Sequence, residues 1–396
     1  MRTSWVLFFA LVLTFCNCWR YMPLAATAAQ WIGFLVIVPS LSYWLARYIW
    51  SIAFVKLVSG DGKAVLVAGC DTGFGHFLVR SLTHVGFFVF AGCLDATCNG
   101  ANELKKLANV KVLQLDISSE RQVSDALVAI KKDLGSKVLW AVVCNAAIRN
   151  EGLLEWMTME AVKKVIDVNI LGTCRVSKTF LPLLRKCNGR LVVVTSSFGK
   201  EPQFLPYKNS LKSTGDLKPA EADVHKIWHS LITGYVTMPL GTPYSMTKHA
   251  VVSMVDGLRR ECYGKSVDII QVMPQAYKTN ISVPVLEHGF TTEDLKKNCP
   301  EVADDFTQEE IDSWIRSSKV FYDTFNKENV QEVVDVMILA VRETHPRTWY
   351  TTPMSLCTAA LFPCTYLPDE ATDAIMAFVR TRIASVSDVP EKNKRH

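Results

Sequence analysis

Two hydrophobic regimes divide the chain. Up to about residue 50, apolar residues run almost unbroken. Trp5 to Cys16 follows Arg2, and Leu24 to Leu45 holds only Gln30 and a few hydroxyls as polar groups. The second run is long enough to span a bilayer, for which a helix needs about 20 apolar residues. The first reads as the apolar region of a signal peptide or as a short first span, and the lack of a small-residue cleavage site after Cys16 favours retention. Arg47, Lys56 and Lys63 follow the second run, with Trp44 and Trp50 at interface depth. By the positive-inside tendency, the rest of the chain faces the cytosol.

From Lys63 onward, short β-rich apolar runs alternate with segments of helical spacing. The runs predict strands over Ala64–Ala68, Phe87–Ala91, Val110–Leu115, Val138–Val143, Arg190–Thr195 and Val267–Val272. Helical spacing covers Phe77–Val85, Arg121–Leu134, one long stretch from Met159 to Leu184, and a helix from near Tyr244 to about Tyr263. Such alternation predicts an α/β fold with a doubly wound parallel sheet, whose ligands sit at the carboxyl ends of the strands.

Composition narrows the class. The 396 residues are 49% hydrophobic, with a net charge of +5 and no basic stripe, which argues against a nucleic-acid partner. The twelve cysteines form no CxxC pair and no Cys/His set at zinc spacing, so no metal is expected and a reduced compartment is the simplest account. His76, His84, His249 and His288 lack metal-like spacing, Asn280-Ile-Ser282 reads as a chance sequon, and the acidic run from Glu301 to Asp312 reads as a solvated helix face.

Chemistry concentrates at the predicted strand ends. Gly69, Gly73 and Gly75 follow the first strand with the spacing GxxxGxG, which permits a tight turn and aims a helix N-terminus at a pyrophosphate. The turn residues Asp71, Thr72 and Phe74 fall in the same segment, and Asp95 lies at the end of the second strand. No cation stands there for a 2′-phosphate, and Asp95 could accept from a ribose hydroxyl, so NAD is expected over NADP. Tyr244 and Lys248, four residues apart, share one helical face. An ammonium beside a phenol stabilises the phenolate, which makes Tyr244 a candidate acid/base.

With the glycine turn, Asn169, Ser196 and the Tyr244/Lys248 pair in this order, the chain resembles the short-chain dehydrogenase/reductase family over about residues 61 to 280. The resemblance looks closest to the membrane-associated branch of retinol dehydrogenases, 17β-hydroxysteroid dehydrogenase type 2 and D-β-hydroxybutyrate dehydrogenase, through Gly69-Cys-Asp-Thr-Gly-Phe-Gly75, Leu154-Glu-Trp156 and Asp167-Val-Asn-Ile-Leu-Gly172. It implies Tyr244 as acid/base, Lys248 as its pKa-lowering and ribose-binding partner, Ser196 as the hydroxyl that polarises the substrate oxygen, and Asn169 as organiser of a relay water. It also implies adenine contact by Asp116, a cofactor floor at Asn145, a cofactor contact at Pro274 and a nicotinamide contact at Thr279. The implied activity is NAD-linked interconversion of a lipophilic alcohol, steroid- or retinoid-like, and its carbonyl.

The chain departs from that pattern at Ala68-Gly69, at Cys144-Asn145-Ala146-Ala147 and at Pro274-Gln275. The gap from Ser196 to Tyr244 is also far longer than usual, so a polar insertion over about 200–240 could serve as a lid or partner-binding loop. These departures keep open a second reading, a catalytically weak scaffold that binds a partner through the insertion. The expected organisation is a membrane anchor over 1–50, a catalytic domain over 61–345 with a substrate loop at 281–325, and an apolar segment with a polar tail over 346–396. Phe290, Trp314, Phe321 and Tyr322 of the loop read as lining for a lipophilic pocket or as core. The expected location is the endoplasmic reticulum membrane, with a mitochondrial membrane as the alternative, and homo-oligomerisation is left open.

Overall fold

The computed structural model describes residues 56–196, 240–279 and 290–353, with isolated positions within 14–42 and 371–378. In chain order the elements are β1 (Lys63–Ala68), α1 (Gly73–His84), β2 (Phe88–Cys93), α2 (Asn99–Leu104), β3 (Val110–Gln114), α3 (Glu120–Asp133) and β4 (Val138–Cys144). Then come α4 (Met159–Ile166), a π segment (Asp167–Gly172), α5 (Thr173–Arg185), β5 (Arg190–Val194), α6 (Thr242–Glu261) and β6 (Asp268–Met273). The last are α7 (Thr292–Asn298), α8 (Gln308–Phe325), α9 (Gln331–Arg342) and β7 (Trp349–Thr351).

The seven strands form one parallel sheet in the order β3-β2-β1-β4-β5-β6-β7. A parallel sheet covered on both faces requires near-continuous apolar strands, and Ala64 to Ala68 are all buried. Side chains alternate along each strand. Ala64, Leu66 and Ala68 therefore join a core completed by Phe180 and Leu184 of α5, Val251 and Val255 of α6, and Ile130 of α3. On the other face α1 packs against α9, where Val333 to Val341 except Asp335 are buried hydrophobics. Removing one fully buried side chain, as in Leu66→Ala, is expected to destabilise by about 2–5 kcal/mol. Strand order reverses between β1 and β4, and a crevice opens there at the carboxyl ends.

Arg190 locks the sheet to α9. It is 1% exposed in β5, and Nη1 donates to the carbonyls of Ala340 (3.2 Å) and Glu343 (2.8 Å) while the guanidinium lies 4.5 Å from the Trp140 ring centroid. A cation at a helix C-terminus satisfies carbonyls that lack partners within the helix.

Three expectations are refined. The helix expected to run unbroken from Met159 to Leu184 is interrupted by the π segment, which carries Asn169. Hydrogen bonds from the Asn169 side chain to neighbouring elements accompany this change of pitch. The fifth strand ends at Val194, although the Thr195 N–H continues the ladder to the Val272 carbonyl at 2.9 Å. Within the expected substrate loop, residues from Thr292 onward are α7, a 3₁₀ turn over Pro300–Asp305 and α8. Capping boxes start both helices, at Thr291/Asp294 and Thr307/Glu310.

The chain divides into two compact units, and the N-terminal one spans Met1–Val55 with Phe204–Lys208. Its described positions Trp31, Phe34, Leu35 and Leu41 are helical, and each exposes more than half of its surface. Among the described residues, no helix is long and apolar enough to cross a membrane. Most of the two apolar runs, the insertion before Leu240 and nearly all of 354–396 lie outside them.

Candidate active site

The glycine turn is built for close approach. Gly69 has φ +82°, and a Cβ there would lie 2.7 Å from the Ala146 Cα. A Cβ on Gly75 would fall 2.0 Å from the Gly69 carbonyl oxygen. Only glycine fits at either position. The N–H groups of Gly69 and Cys70 both donate to the Gly92 carbonyl at the end of β2. Thr72, the residue before α1, makes no side-chain cap, so the first-turn N–H groups are left for a ligand. An uncapped helix start behind a glycine cradle fits the pyrophosphate of a dinucleotide.

A cavity of about 460 Å³ runs from this turn to α6. Gly69, Asp71, Thr72, Gly73 and Phe74 line one end and Tyr244 with Lys248 the other, while Asp116, Asn145, Pro274 and Thr279 lie along it. Asn145 supports the floor by donating Nδ2 to the Gly69 carbonyl at 2.8 Å. Asp116 accepts from the Ser118 N–H and hydroxyl, which holds its carboxylate at the end of β3.

Two expected cofactor residues do not line the cavity. Gly75 acts beneath it as the contact point just described. Asp95 is exposed, and its carboxylate accepts from the Thr97 N–H and hydroxyl, hydrogen bonds that hold its pKa below the usual carboxylate value. The acid that joins the turn to β2 is Asp71, whose two oxygens accept from the N–H groups of Leu94 (2.9 Å) and Asp95 (3.0 Å).

Asn169 is 2% exposed, and its whole amide is used. Oδ1 accepts from the Ile148 N–H at 2.8 Å, while Nδ2 donates to the Ile148 carbonyl at 2.9 Å and to Thr247 Oγ1 at 3.0 Å. The π segment thereby clamps the loop after β4 to α6. Ser196 is buried two positions beyond Val194, at the end of β5.

Tyr244, half-buried, has two cations beside it. The Lys248 Nζ lies 5.5 Å from its ring centroid and the Arg149 guanidinium 5.6 Å. Lys248 donates to the Val194 carbonyl at 3.1 Å, and burial draws its pKa down to about 8. Burial pushes the Tyr244 phenol above its ordinary value, and the charge that opposes this rise is that of Arg149. Sequence reasoning missed Arg149. A basic residue just past a strand's carboxyl end was the available signal, because ligands of such sheets sit there.

An apolar cluster joins the loop after β4 to Leu240, just before α6. Trp156 stacks on Phe290 (5.5 Å) and meets Phe306 edge-on (5.3 Å), with Leu240 and Ile311 buried beside them. It is tied down where the Gly152 N–H donates to the Leu240 carbonyl at 3.0 Å. Trp314 packs against the same cluster.

The family model for short chain dehydrogenases matches residues 63–210. Retinol dehydrogenase 7 of Rattus norvegicus is 30% identical over 335 residues, which cover 81% of this chain and 90% of that protein. Estradiol 17-beta-dehydrogenase 2 of Mus musculus is 35% identical over 231 residues (57% of this chain, 51% of that protein). Mitochondrial D-beta-hydroxybutyrate dehydrogenase of Rattus norvegicus is 33% identical over 222 residues (54% of each). The chain matches about half the length of these last two relatives. Among solved structures, a short-chain dehydrogenase/reductase from Burkholderia phymatum in complex with NAD superposes with a TM-score of 0.54, at 18% identity, over 80% of this chain and 96% of that one. One from Burkholderia cenocepacia in complex with NADP gives 0.51 at 18% identity, over 81% and 99%. These structures share the fold. With the glycine turn, Tyr244 and Lys248 set around one groove and Asn169 bracing the loop after β4 against α6, the chain belongs to the short-chain dehydrogenase family, in its retinol-dehydrogenase-like branch.

Proposed function

We propose that the protein is a membrane-anchored, NAD-dependent oxidoreductase that interconverts a lipophilic secondary or primary alcohol, of steroid or retinoid type, and its carbonyl. The observation that carries this reading is that Tyr244 and Lys248 line the same groove as the glycine cradle and the uncapped start of α1. The cradle and Asn145 would hold the dinucleotide, with Asp116 and Thr279 along its length. When bound, that cofactor supplies hydride exchange.

The chain's own residues supply position and proton transfer. In the oxidative direction, Tyr244 as phenolate takes the alcohol proton while Ser196 holds the oxygen. Lys248 fixes the tyrosine side of the groove to β5 and would help hold the cofactor ribose, and Asn169 keeps the loop after β4 in register with α6. The Asp71 carboxylate, which lines the groove, would disfavour the 2′-phosphate of NADP. The Trp156–Phe290–Phe306 cluster, packed between the loop after β4 and the helices from Thr292 onward, would supply apolar surface for a substrate that partitions into lipid. The apolar runs within 1–50 would anchor the domain over 61–345 to an endoplasmic reticulum or mitochondrial membrane, with the segment over 346–396 meeting membrane or substrate.

The test is a fluorescence titration of the detergent-solubilised full chain with NADH and, separately, NADPH, followed by a screen of steroid and retinoid alcohols. Tight NADH binding, weak NADPH binding and NADH formation with a member of the screen support the reading. Folded protein that binds neither nucleotide contradicts it and favours a scaffold.

A further inference from the structure

The loop after β4 is fixed at several points. Both backbone groups of Ile148 bond the Asn169 amide, and the Gly152 N–H bonds Leu240. Between these anchors, Arg149 Nη2 donates to Glu151 Oε1 at 2.7 Å. The Glu151 side chain is 3% exposed, and neither its Oε2 nor the Arg149 Nε has a hydrogen-bond partner among the described residues. A carboxylate buried this deeply is tolerated only with a cation beside it. Arg149 therefore stays with Glu151, and the guanidinium is kept 5.6 Å from the Tyr244 ring centroid.

Lys248 stands equally close, but its ammonium is turned to the Val194 carbonyl, and with its pKa drawn down to about 8 it loses charge over the alkaline range. A guanidinium stays protonated throughout. The other charged groups along the groove are Lys164, on α4, and Asp167, in the π segment and paired with Arg175 at 2.8 Å. Asp71 and Asp116 line it at the ends of β1 and β3. From beyond the ends of β5 and β6 the lining residues are the uncharged Thr195, Pro274 and Thr279.

We propose that Arg149, anchored by Glu151, is a positioning residue for the proton transfer, whose fixed positive field stabilises Tyr244 as phenolate. This rests on the acid/base role proposed above for Tyr244. An opposite charge at this range lowers a pKa by about 1 unit or more. Arg149→Met is then expected to move the Tyr244 titration upward by about 1 pH unit, and Arg149→Lys to retain most of the wild-type value. Glu151→Gln keeps an acceptor for Arg149 Nη2 at the same place while removing the opposing negative charge, and moves it downward. Loss of packing alone would not produce shifts of opposite sign.

The experiment is a pH titration of the detergent-solubilised full chain carrying carbon-13-labelled tyrosine, followed by NMR, with the Tyr244 resonance assigned as the one missing from Tyr244→Phe. Upward and downward shifts in Arg149→Met and Glu151→Gln support the proposal. An unmoved Tyr244 resonance, or shifts of the same sign, overturn it. If Arg149→Met fails to fold, Arg149→Lys near wild type with a downward Glu151→Gln supports the proposal, and any other pattern overturns it. Turnover in the Tyr244→Phe variant separates the two readings. If it is unchanged, the acid/base assignment fails; if it is abolished while the resonance does not respond, only the role of Arg149 fails.

Discussion

Lys248 spans the groove to the end of β5, where its Nζ donates to the Val194 carbonyl at 3.1 Å. The lysine is 5% exposed, and its pKa is about 8 in place of the ordinary 10.5. Between those values the unfolded chain binds a proton that the folded chain does not, so this group makes stability rise with pH from about 8 to 10.5. Below about 8 the folded state carries the penalty of a buried ammonium. Lys248→Met is expected to abolish turnover while raising stability at pH 7 by on the order of 2 kcal/mol. Urea denaturation at pH 7 and pH 10 checks this, with the gain shrinking at the higher pH.

Asp71 should govern nucleotide preference more than Asp95 does. Its carboxylate both holds the Leu94 and Asp95 N–H groups and lines the cavity, whereas the Asp95 carboxylate is engaged by Thr97. Asp71→Ala is expected to weaken NADH binding about tenfold and to narrow the gap to NADPH, while Asp95→Ala changes both by less than about threefold. Nucleotide fluorescence titrations of the two variants measure the difference.

Asn169→Ala leaves both backbone groups of Ile148 and the Thr247 hydroxyl without this partner. Unsatisfied buried groups make this a loss of about 2–3 kcal/mol in stability. Turnover should fall at least tenfold, because the loop bearing Arg149 loses its register with Tyr244. Denaturation midpoints and steady-state rates on the same preparation test both expectations.

Arg190 provides a control remote from the groove. Replacing it by Met abandons the carbonyls of Ala340 and Glu343 and the Glu343 side chain near them. The expected loss is about 3 kcal/mol, with nucleotide affinity unchanged in the protein that remains folded. A urea titration read beside NADH binding makes the comparison.

The features legible in the sequence were those with strong local signals. The run from Ala64 to Ala68 followed by Gly69, Gly73 and Gly75 permits little besides strand, turn and helix, and the structure agrees to within a few residues. The π segment was not legible. Over six residues its apolar spacing matches that of an α-helix, and it is distinguished by the Asn169 contacts to Ile148 and Thr247, distant in sequence. Arg149 was hidden for a similar reason, since its meaning depends on Glu151 and Tyr244 meeting in space. Thr291/Asp294 and Thr307/Glu310 carry helix-start signals that the reading of 281–325 as a loop passed over. The three residues of β7 are too few to show a period.

The most direct test compares NADH formation by the wild-type full chain and by Tyr244→Phe, using NAD and an alcohol found active in the steroid and retinoid screen. The prediction is clear turnover in the wild type and a fall of at least about a hundredfold in the variant, with NADH affinity nearly unchanged. Equal turnover in the two proteins would contradict the assignment of Tyr244 and, with it, the mechanism.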